Sequence, residues 1–381
     1  MKIKKIPALA LAAAIFLCSC GCSSMLNAEY ESVSKHVESA PVISDQSIPG
    51  VSSLDELEDA ILNMIKSRLT TAKLRFEDYN GDPETDTAVA CAEVANETPL
   101  GAYAVYYISG SVNKNISYHQ AEITIIYKKT LKQINSIVYG ATTDIIDEKL
   151  KAAMTELTDS LAIRTSLSSV DSTYFEQSAR RIAFKSGSDI FIIPTVSAHF
   201  YPDAAADHIA DVSLTYPLPY ERLYRMRTDL DTAISGDARI IDEPSEAKTL
   251  VAIFERLSDR VERVLPNDAA SIDDTAYGAY VNGKASPLGV ALAFKLACNK
   301  NGLECHVVDG RFGGADHYWN IVKIDGSYYN CDVYRAVEAG IADCIFRSDA
   351  DFELEYWHDS GAYPECSGEL TYSSVTGEAA E

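Results

Sequence analysis

Basic residues are scarce in this chain: 33 lysines and arginines stand against 56 aspartates and glutamates over 381 residues, a formal net charge of −23. A phosphate backbone would be repelled wherever a concentrated basic patch is missing. The sequence has no such patch, which argues against nucleic acid as a partner. Long low-complexity tracts are also absent. With 47% apolar and 9% aromatic residues the chain can bury enough surface to fold, so wholesale disorder is excluded. Past the leader no apolar run reaches membrane-spanning length. Nine cysteines are present, and the six beyond the leader, at 91, 298, 305, 331, 344 and 366, have the spacing of neither a zinc site nor a small disulfide framework. Cys344 and Cys366 are the pair to expect if any bridge forms. No motif calls for a metal or a cofactor, and none is expected.

What is present begins with Lys2, Lys4 and Lys5, an apolar run from Ile6 to Leu17, and Cys18-Ser19-Cys20-Gly21-Cys22. A charged start, a short apolar stretch and small residues at its end make an export signal. Leu17-Cys18-Ser19-Cys20 resembles a bacterial lipoprotein signal, with Cys20 as the lipidated residue; Cys22 would put Ser19 where the aliphatic residue belongs. An ordinary secretory signal is the alternative. Residues 1–19 are then the signal peptide, and 20–52 a polar, aperiodic tether. The expected location is outside the cytoplasm, with the chain lipid-anchored to the outer face of a bacterial membrane.

A length of 381 residues suggests two or three domains at roughly 100–200 residues each. Ser53-Leu-Asp-Glu56 reads as a capping box before a helix with Leu57, Ile61, Met64 and Ile65 on one side. Tyr103 to Val112 and Gln120 to Tyr127 read as a hairpin. Glu122–Tyr127 then lines up with Asp211–Tyr216 at an offset of 89 residues, after a helix-like stretch from Asp144 to Ile163. Residues 53–140 and 141–236 are therefore read as two similar helix-hairpin α+β units. The acidic loop from Asp78 to Glu84 has alternate oxygen ligands, but Pro83 stands where a calcium loop needs glycine, and a solvated turn is expected. His199 and His208 have no acidic partner at ligand spacing and are read as ordinary surface or core histidines.

Residues 237–381 carry the chemistry. Ser245 caps a helix with Leu250, Phe254 and Leu257 on its apolar side. Thr275-Ala-Tyr-Gly-Ala-Tyr-Val-Asn-Gly-Lys-Ala285 leads into an almost wholly apolar, buried helix from Pro287 to Cys298, closed by Asn301-Gly302. Strands follow at Leu303–Asp309, His317–Ile324 and Ser327–Val333, the last two joined by Asp325-Gly326. A two-residue turn sets Ile324 opposite Ser327 and hence Asp332 opposite Trp319. His317, Trp319 and Asp332 then share one face, and His317 and Asp332 are diagonal neighbours at roughly 7–8 Å between backbones. A carboxylate can reach an imidazole across that gap, holding its tautomer and raising its basicity as a general base requires. A purely structural pair fits the same residues.

These motifs, in this order from about Thr275 to Cys366 and with Phe346-Arg-Ser-Asp349 and Tyr363-Pro-Glu-Cys366, resemble the bacterial transglutaminase-like domains, relatives of papain-type thiol enzymes. The resemblance implies an α+β fold with a papain-like core, a buried helix packed on an antiparallel sheet. It also implies a Cys-His-Asp triad in which His317 and Asp332 are the second and third members. The position of the nucleophile, aligned through Gly283-Lys-Ala285 and Gly289, holds Pro287. A thiol belongs at that helix N-terminus because unsatisfied amides and the helix dipole favour thiolate; proline offers no nucleophile. Ser286 next to it reads as an N-cap before a first-turn proline and is the one candidate substitute. Cys298 lies 11 residues down the helix, roughly 16 Å away; Cys305 and Cys331 lie elsewhere in the sheet.

The expected function is a surface lipoprotein with an inactive transglutaminase-like domain that binds a protein, peptide or cell-wall ligand. The alternative is an active amide hydrolase or acyltransferase using Ser286, or a water activated by His317 and Asp332. A third reading makes the last domain a spacer and the acidic, repeated half the interaction module.

Overall fold

A computed structural model describes residues 48–377, apart from 116, 204, 242, 266–270 and 353–354; the leader with Cys20 and the tether up to residue 47 lie outside the described residues. Ser53 opens the first helix, α1 (Leu54–Lys66), its hydroxyl accepting from the Glu56 N–H at 3.3 Å. The Glu56 carboxylate departs from the expected capping box. It accepts from the backbone N–H and hydroxyl of Ser52, at 2.7 and 2.8 Å, one residue before the cap.

The first sheet has the order β1-β2-β4-β3, from β1 (Gly50–Val51), β2 (Thr71–Phe76), β3 (Val105–Lys114) and β4 (His119–Tyr127). The β3–β4 hairpin corresponds to the expected one; β2, pairing antiparallel with β4, carries no local signal as clear. The acidic loop ends as a helix cap: Asp82 accepts from the Glu84 N–H and the Thr85 hydroxyl, each at 3.1 Å, and Pro83 starts α2 (Pro83–Asn96). Proline suits that position because the first N–H of a helix has no partner to lose.

A second sheet repeats the order with β5 (Val138–Tyr139), β6 (Ser160–Thr165), β8 (His208–Thr215) and β7 (Thr195–Tyr201). The equivalence extends to single residues. Thr71 pairs with Thr124 and, 89 residues on, Ser160 pairs with Ser213. The buried Leu57, Ile61, Met64 and Ile65 of α1 have counterparts at the same offset in Ile146, Leu150, Ala153 and Met154 of α3 (Thr143–Glu156). Arg68 and Leu157, again 89 apart, both take positive φ, 51° and 58°. That left-handed residue ends α3, so the stretch expected to run as helix to Ile163 instead turns and enters β6.

Helix α4 (Tyr174–Phe184) covers the second sheet, and α5 (Tyr220–Ala238) and α6 (Glu246–Arg260) lead into the last part of the chain. There a third sheet, ordered β13-β12-β11-β14, is built from β11 (Cys305–Phe312), β12 (Ala315–Ile324), β13 (Ser327–Cys331) and β14 (Tyr356–Trp357). Asp325 and Gly326 both have positive φ, 48° and 90°, as the tight hairpin turn demands. Between α6 and this sheet, β9 (Glu262–Arg263) pairs with β10 (Lys284–Ala285), which delivers the chain into α7 (Pro287–Lys300).

Helix α7 is buried almost all round, with Val290, Leu292, Phe294 and Cys298 at 1% exposure or less. Its core continues into the second unit through Phe175 and Phe184, and Phe254 of α6 meets Phe294 edge to face at 5.7 Å. Gly289 is required at its first turn: a Cβ there would come within 2.2 Å of the Asp273 carbonyl. The fold class is α+β, with a buried helix on an antiparallel sheet preceded by two helix-hairpin units. The six cysteines among the described residues are all buried and free, so the Cys344–Cys366 bridge does not form. Their positions explain why: Cys344 belongs to the main core and Cys366 to a separate small cluster with Trp319 and Phe352.

Candidate functional site

The β12–β13 register follows from the turn, with Ile324 opposite Ser327 and Asn320 opposite Cys331. Pairing stops there. Asp332, expected to continue the strand opposite Trp319, becomes the N-cap of α8 (Val333–Ala339), and one carboxylate oxygen, Oδ1, accepts from the Arg335 N–H at 3.0 Å. This turn swings the other oxygen to His317: Nε2 of the imidazole donates to Oδ2 at 2.6 Å. Both residues are almost wholly buried, at 5% and 1% exposure.

A third donor completes the carboxylate. The hydroxyl of Tyr356, on edge strand β14, donates to the same Oδ2 at 2.8 Å. Burial, and then the charge of Asp332, push the Tyr356 hydroxyl pKa well up, so it stays a donor. Tyr356 lies 24 residues from Asp332 on a two-residue strand, and no periodicity in the sequence points to it. The pairing is thus a buried carboxylate held by an imidazole, a phenol and a main-chain amide.

Aromatic rings surround the imidazole. Phe312 and Tyr334 lie 5.7 and 5.9 Å away, Tyr356 6.1 Å and Trp319 6.2 Å. Two of these rings carry a guanidinium, Arg335 over Phe312 at 3.9 Å and Arg263 over Tyr334 at 4.3 Å. With Nε2–H committed to Asp332, the neutral ring has its lone pair on Nδ1, which has no hydrogen-bond partner among the described residues and is not sealed from solvent. Such a nitrogen can accept a proton or a hydrogen bond from whatever stands in front of it.

Among the described residues no nucleophilic group is bonded to it. Pro287 occupies the first position of α7, and Ser286 is its N-cap. The Ser286 hydroxyl donates to Asp274 Oδ1 at 2.6 Å and accepts from the Gly289 N–H at 3.4 Å; it makes no hydrogen bond to His317. Tyr334, whose ring lies beside the imidazole, donates its hydroxyl to the Val264 carbonyl at 3.0 Å, and the Val264 N–H donates to the Ala285 carbonyl at 2.9 Å. On β12, Val322 and Ile324 join the core around α7, whereas Trp319 and Ile321 join the small cluster on the other face. His317 shares the Trp319 face by alternation.

The cysteines are no substitute. Burial pushes the thiols of Cys298, Cys331 and Cys366 up and that of Cys344 up to about 12, away from the thiolate that attacks. Among the described residues, five of the surface clefts run from about 270 to 1070 Å³, and none of these five has His317, Asp332, Ser286 or Pro287 in its walls. Asp274 and Leu288 line the smallest, together with Glu176 and Arg180 of α4. His199 is exposed on β7, while His208 opens β8 at 9% exposure with Nδ1 2.9 Å from the Ala205 carbonyl. Among the described residues no group of three or more His, Cys, Asp and Glu could hold a metal ion, and no helix is long and apolar enough to cross a membrane.

No family model matches the chain, and no curated protein matches it. Among solved structures it is similar to a TGase, with 13% identity and a TM-score of 0.27 over 57% of this chain and 62% of that one. It is also similar to the periplasmic domain of TgpA from Pseudomonas aeruginosa, with 12% identity and a TM-score of 0.22 over 40% of this chain and 68% of that one. The chain thus spans less than two thirds of the TGase it resembles. These likenesses are weak, and no residue's role rests on them.

Proposed function

We propose that the chain is a surface-anchored lipoprotein whose transglutaminase-like domain has kept the His-Asp half of a triad and no longer performs thiol chemistry, acting instead by binding a protein, peptide or cell-wall ligand. The observation that carries this reading is the division of labour at the start of α7. Pro287 is the first residue of α7, the position that the family resemblance gives to the nucleophile, and the neighbouring Ser286 hydroxyl is spent on Asp274 at 2.6 Å while His317 and Asp332 keep their own 2.6 Å bond. A serine nucleophile needs its base within about 2.6–3.2 Å. The order of motifs from Thr275 to Cys366 supports the family assignment, and the Leu17–Cys20 signal supports the anchor, with Cys20 as the lipidated residue.

The test is peptidase and amine-incorporation activity of the full chain beside His317→Ala and Pro287→Cys. Silence in the parent with activity appearing in Pro287→Cys is the expected result. Parent activity that vanishes with His317→Ala would overturn the reading and assign the nucleophile to Ser286 or to an activated water.

A further inference from the structure

Strand β3 is the outer strand of the first sheet, and among the described residues it pairs with β4 alone. The direction of its main-chain groups follows from two bonds. The Asn115 N–H donates to the Tyr118 carbonyl at 2.8 Å, and the Ile125 N–H turns to the Thr70 carbonyl at 2.9 Å, away from its β3 partner Ile108. Antiparallel pairs alternate between bonded and unbonded, so Ile108, Gly110 and Val112 aim their N–H and C=O groups outward, where no described residue meets them. The strand is ten residues long and holds no proline. None of the chain's 56 acidic residues falls between Val105 and Asn115, and Lys114 is the single charge there. Edge strands kept from pairing carry more protection than this.

Helix α2 runs beside this edge. It lies over β3, close enough that a Cβ on Gly110 would come within 2.3 Å of the Thr87 side chain, and its Glu93 side meets Glu58 of α1. The opposite flank, Ala88, Ala92 and Ala95 at helical spacing, overhangs the open edge, and the first two are exposed. The repeat shows what this flank does in the other unit. Buried Thr87, Ala90, Cys91 and Val94 return 88 residues on as Phe175, Ser178, Ala179 and Ile182 of α4, so Ala88 and Ala92 correspond to Glu176 and Arg180. There the flank is turned to the last part of the chain. Arg180 donates to Asp309 at 2.8 Å and to the Tyr318 hydroxyl at 2.5 Å, and it walls a cleft together with Glu176, Asp274 and Leu288. The flank is an interface in the second unit, and its counterpart in the first is uncovered among the described residues.

The occupant has to match strand and helix together. A single added strand would satisfy Ile108, Gly110 and Val112 but leave the alanines bare. A second copy of the chain does both. With a two-fold axis at Gly110, that residue meets Gly110 of the copy, Ile108 meets Val112 and Ser109 meets Ser111, so the outward main-chain groups fall opposite one another in bonded pairs. The same axis brings the two α2 helices side by side and antiparallel, where alanine side chains let them approach closely. Two chains that each carry a net charge of −23 repel one another over most of their surface. An edge free of carboxylates lets them meet.

We propose that two copies of the chain pair through β3, edge to edge and antiparallel about Gly110, joining their four-stranded first sheets into one sheet with the α2 flanks packed against each other. The contact uses the same patch on both copies and closes at the dimer. It is separate from His317 and stands whether or not the reading of that residue does. Sedimentation equilibrium of the full chain tests it, beside Ala88→Arg/Ala92→Arg and Ser109→Cys/Ser111→Cys. The parent is expected to dimerise reversibly, and the arginine variant to do so about tenfold more weakly, or less still, with an unchanged circular dichroism spectrum, because like charges then face each other across the axis. In the cysteine variant the new thiols lie opposite one another, and diamide, taking up two hydrogens per disulfide formed, is expected to give a covalent dimer on a non-reducing gel that dithiothreitol cleaves. His317→Ala should dimerise as the parent does. A parent that stays monomeric at every concentration, a dimer that survives the arginines, or a cysteine variant that gives no covalent dimer would overturn the proposal.

Discussion

The His317 imidazole and the Asp332 carboxylate meet at 2.6 Å in a site where each is at least nine-tenths buried, and the same carboxylate oxygen also takes the Tyr356 hydroxyl. The pair is held independently of any nucleophile. Three donors converge on Asp332, so removing it leaves an imidazole N–H, a phenol and the Arg335 amide without their acceptor, whereas removing the Tyr356 hydroxyl leaves the carboxylate two donors.

That asymmetry predicts the stabilities. Asp332→Ala should lower unfolding free energy by roughly 3 kcal/mol, and Tyr356→Phe by about 1 kcal/mol. Urea unfolding followed by circular dichroism measures both. A Tyr356→Phe loss equal to that of Asp332→Ala would show that the phenol, and not the imidazole, carries the carboxylate.

Ser286 is predicted to behave as a cap. Ser286→Ala removes the acceptor of the Gly289 N–H and the donor to Asp274, and should cost about 1–2 kcal/mol. The imidazole ¹⁵N resonances of His317 should not move, since no hydrogen bond links the two residues. A shifted Nδ1 signal in Ser286→Ala would place the hydroxyl beside the base and favour the serine-enzyme alternative.

Gly289→Ala tests how closely α7 lies against the preceding turn. The added Cβ would meet the Asp273 carbonyl at 2.2 Å and the Thr275 carbonyl at 3.0 Å; both are backbone atoms that cannot swing aside. Helix propensity alone would reward the change, so a destabilisation of about 1–3 kcal/mol in thermal or chemical unfolding is the expected overpacking penalty. A neutral or stabilising outcome would mean that the Asp273–Thr275 turn yields freely.

Much of the site was legible before the fold. A two-residue turn with positive φ at Asp325 and Gly326 sets the pairing register as far as Asn320 and Cys331, which brings His317 and Asp332 near each other; the contact itself is made by Asp332 leaving the ladder as the N-cap of α8, which the register does not foretell. The 89-residue offset was readable at Glu122–Tyr127 because a sheet face buried on one side repeats its apolar pattern, and Ile123 and Ile125 return as Val212 and Leu214, all buried. Tyr356 was not legible, since a side chain from a two-residue edge strand is brought in by tertiary packing alone. The same limit hid β1 and β5, two residues each and parallel to their neighbours. The end of α3 was misplaced because Leu157, an ordinary helix former, takes a left-handed conformation there at φ 58°.

Lys295 was hidden for another reason: it sits inside a helix that reads as almost wholly apolar. Its side chain is fully buried, and Nζ donates to the Ala183 carbonyl at the end of α4, at 2.5 Å, and to the Ser188 carbonyl at 2.9 Å, tying the second unit to α7. Burial pulls its pKa down from 10.5 to about 7, with Cys305 and Asp189 acting weakly the other way and Lys151 with it. The unfolded chain then holds a proton on this amine that the folded chain has released, throughout the interval between pH 7 and 10.5. Folding stability therefore rises with pH across that interval and is lowest below pH 7, where both states are protonated and the buried charge is borne in full. Lys295→Met removes the titration while keeping the stem's volume. Melting temperatures of parent and variant between pH 6 and pH 10 check this: the difference in stability, parent minus variant, should grow with pH. A difference that stays flat, or falls, would mean that Lys295 keeps its proton in the folded chain and that the two carbonyls outweigh the cost of burying it.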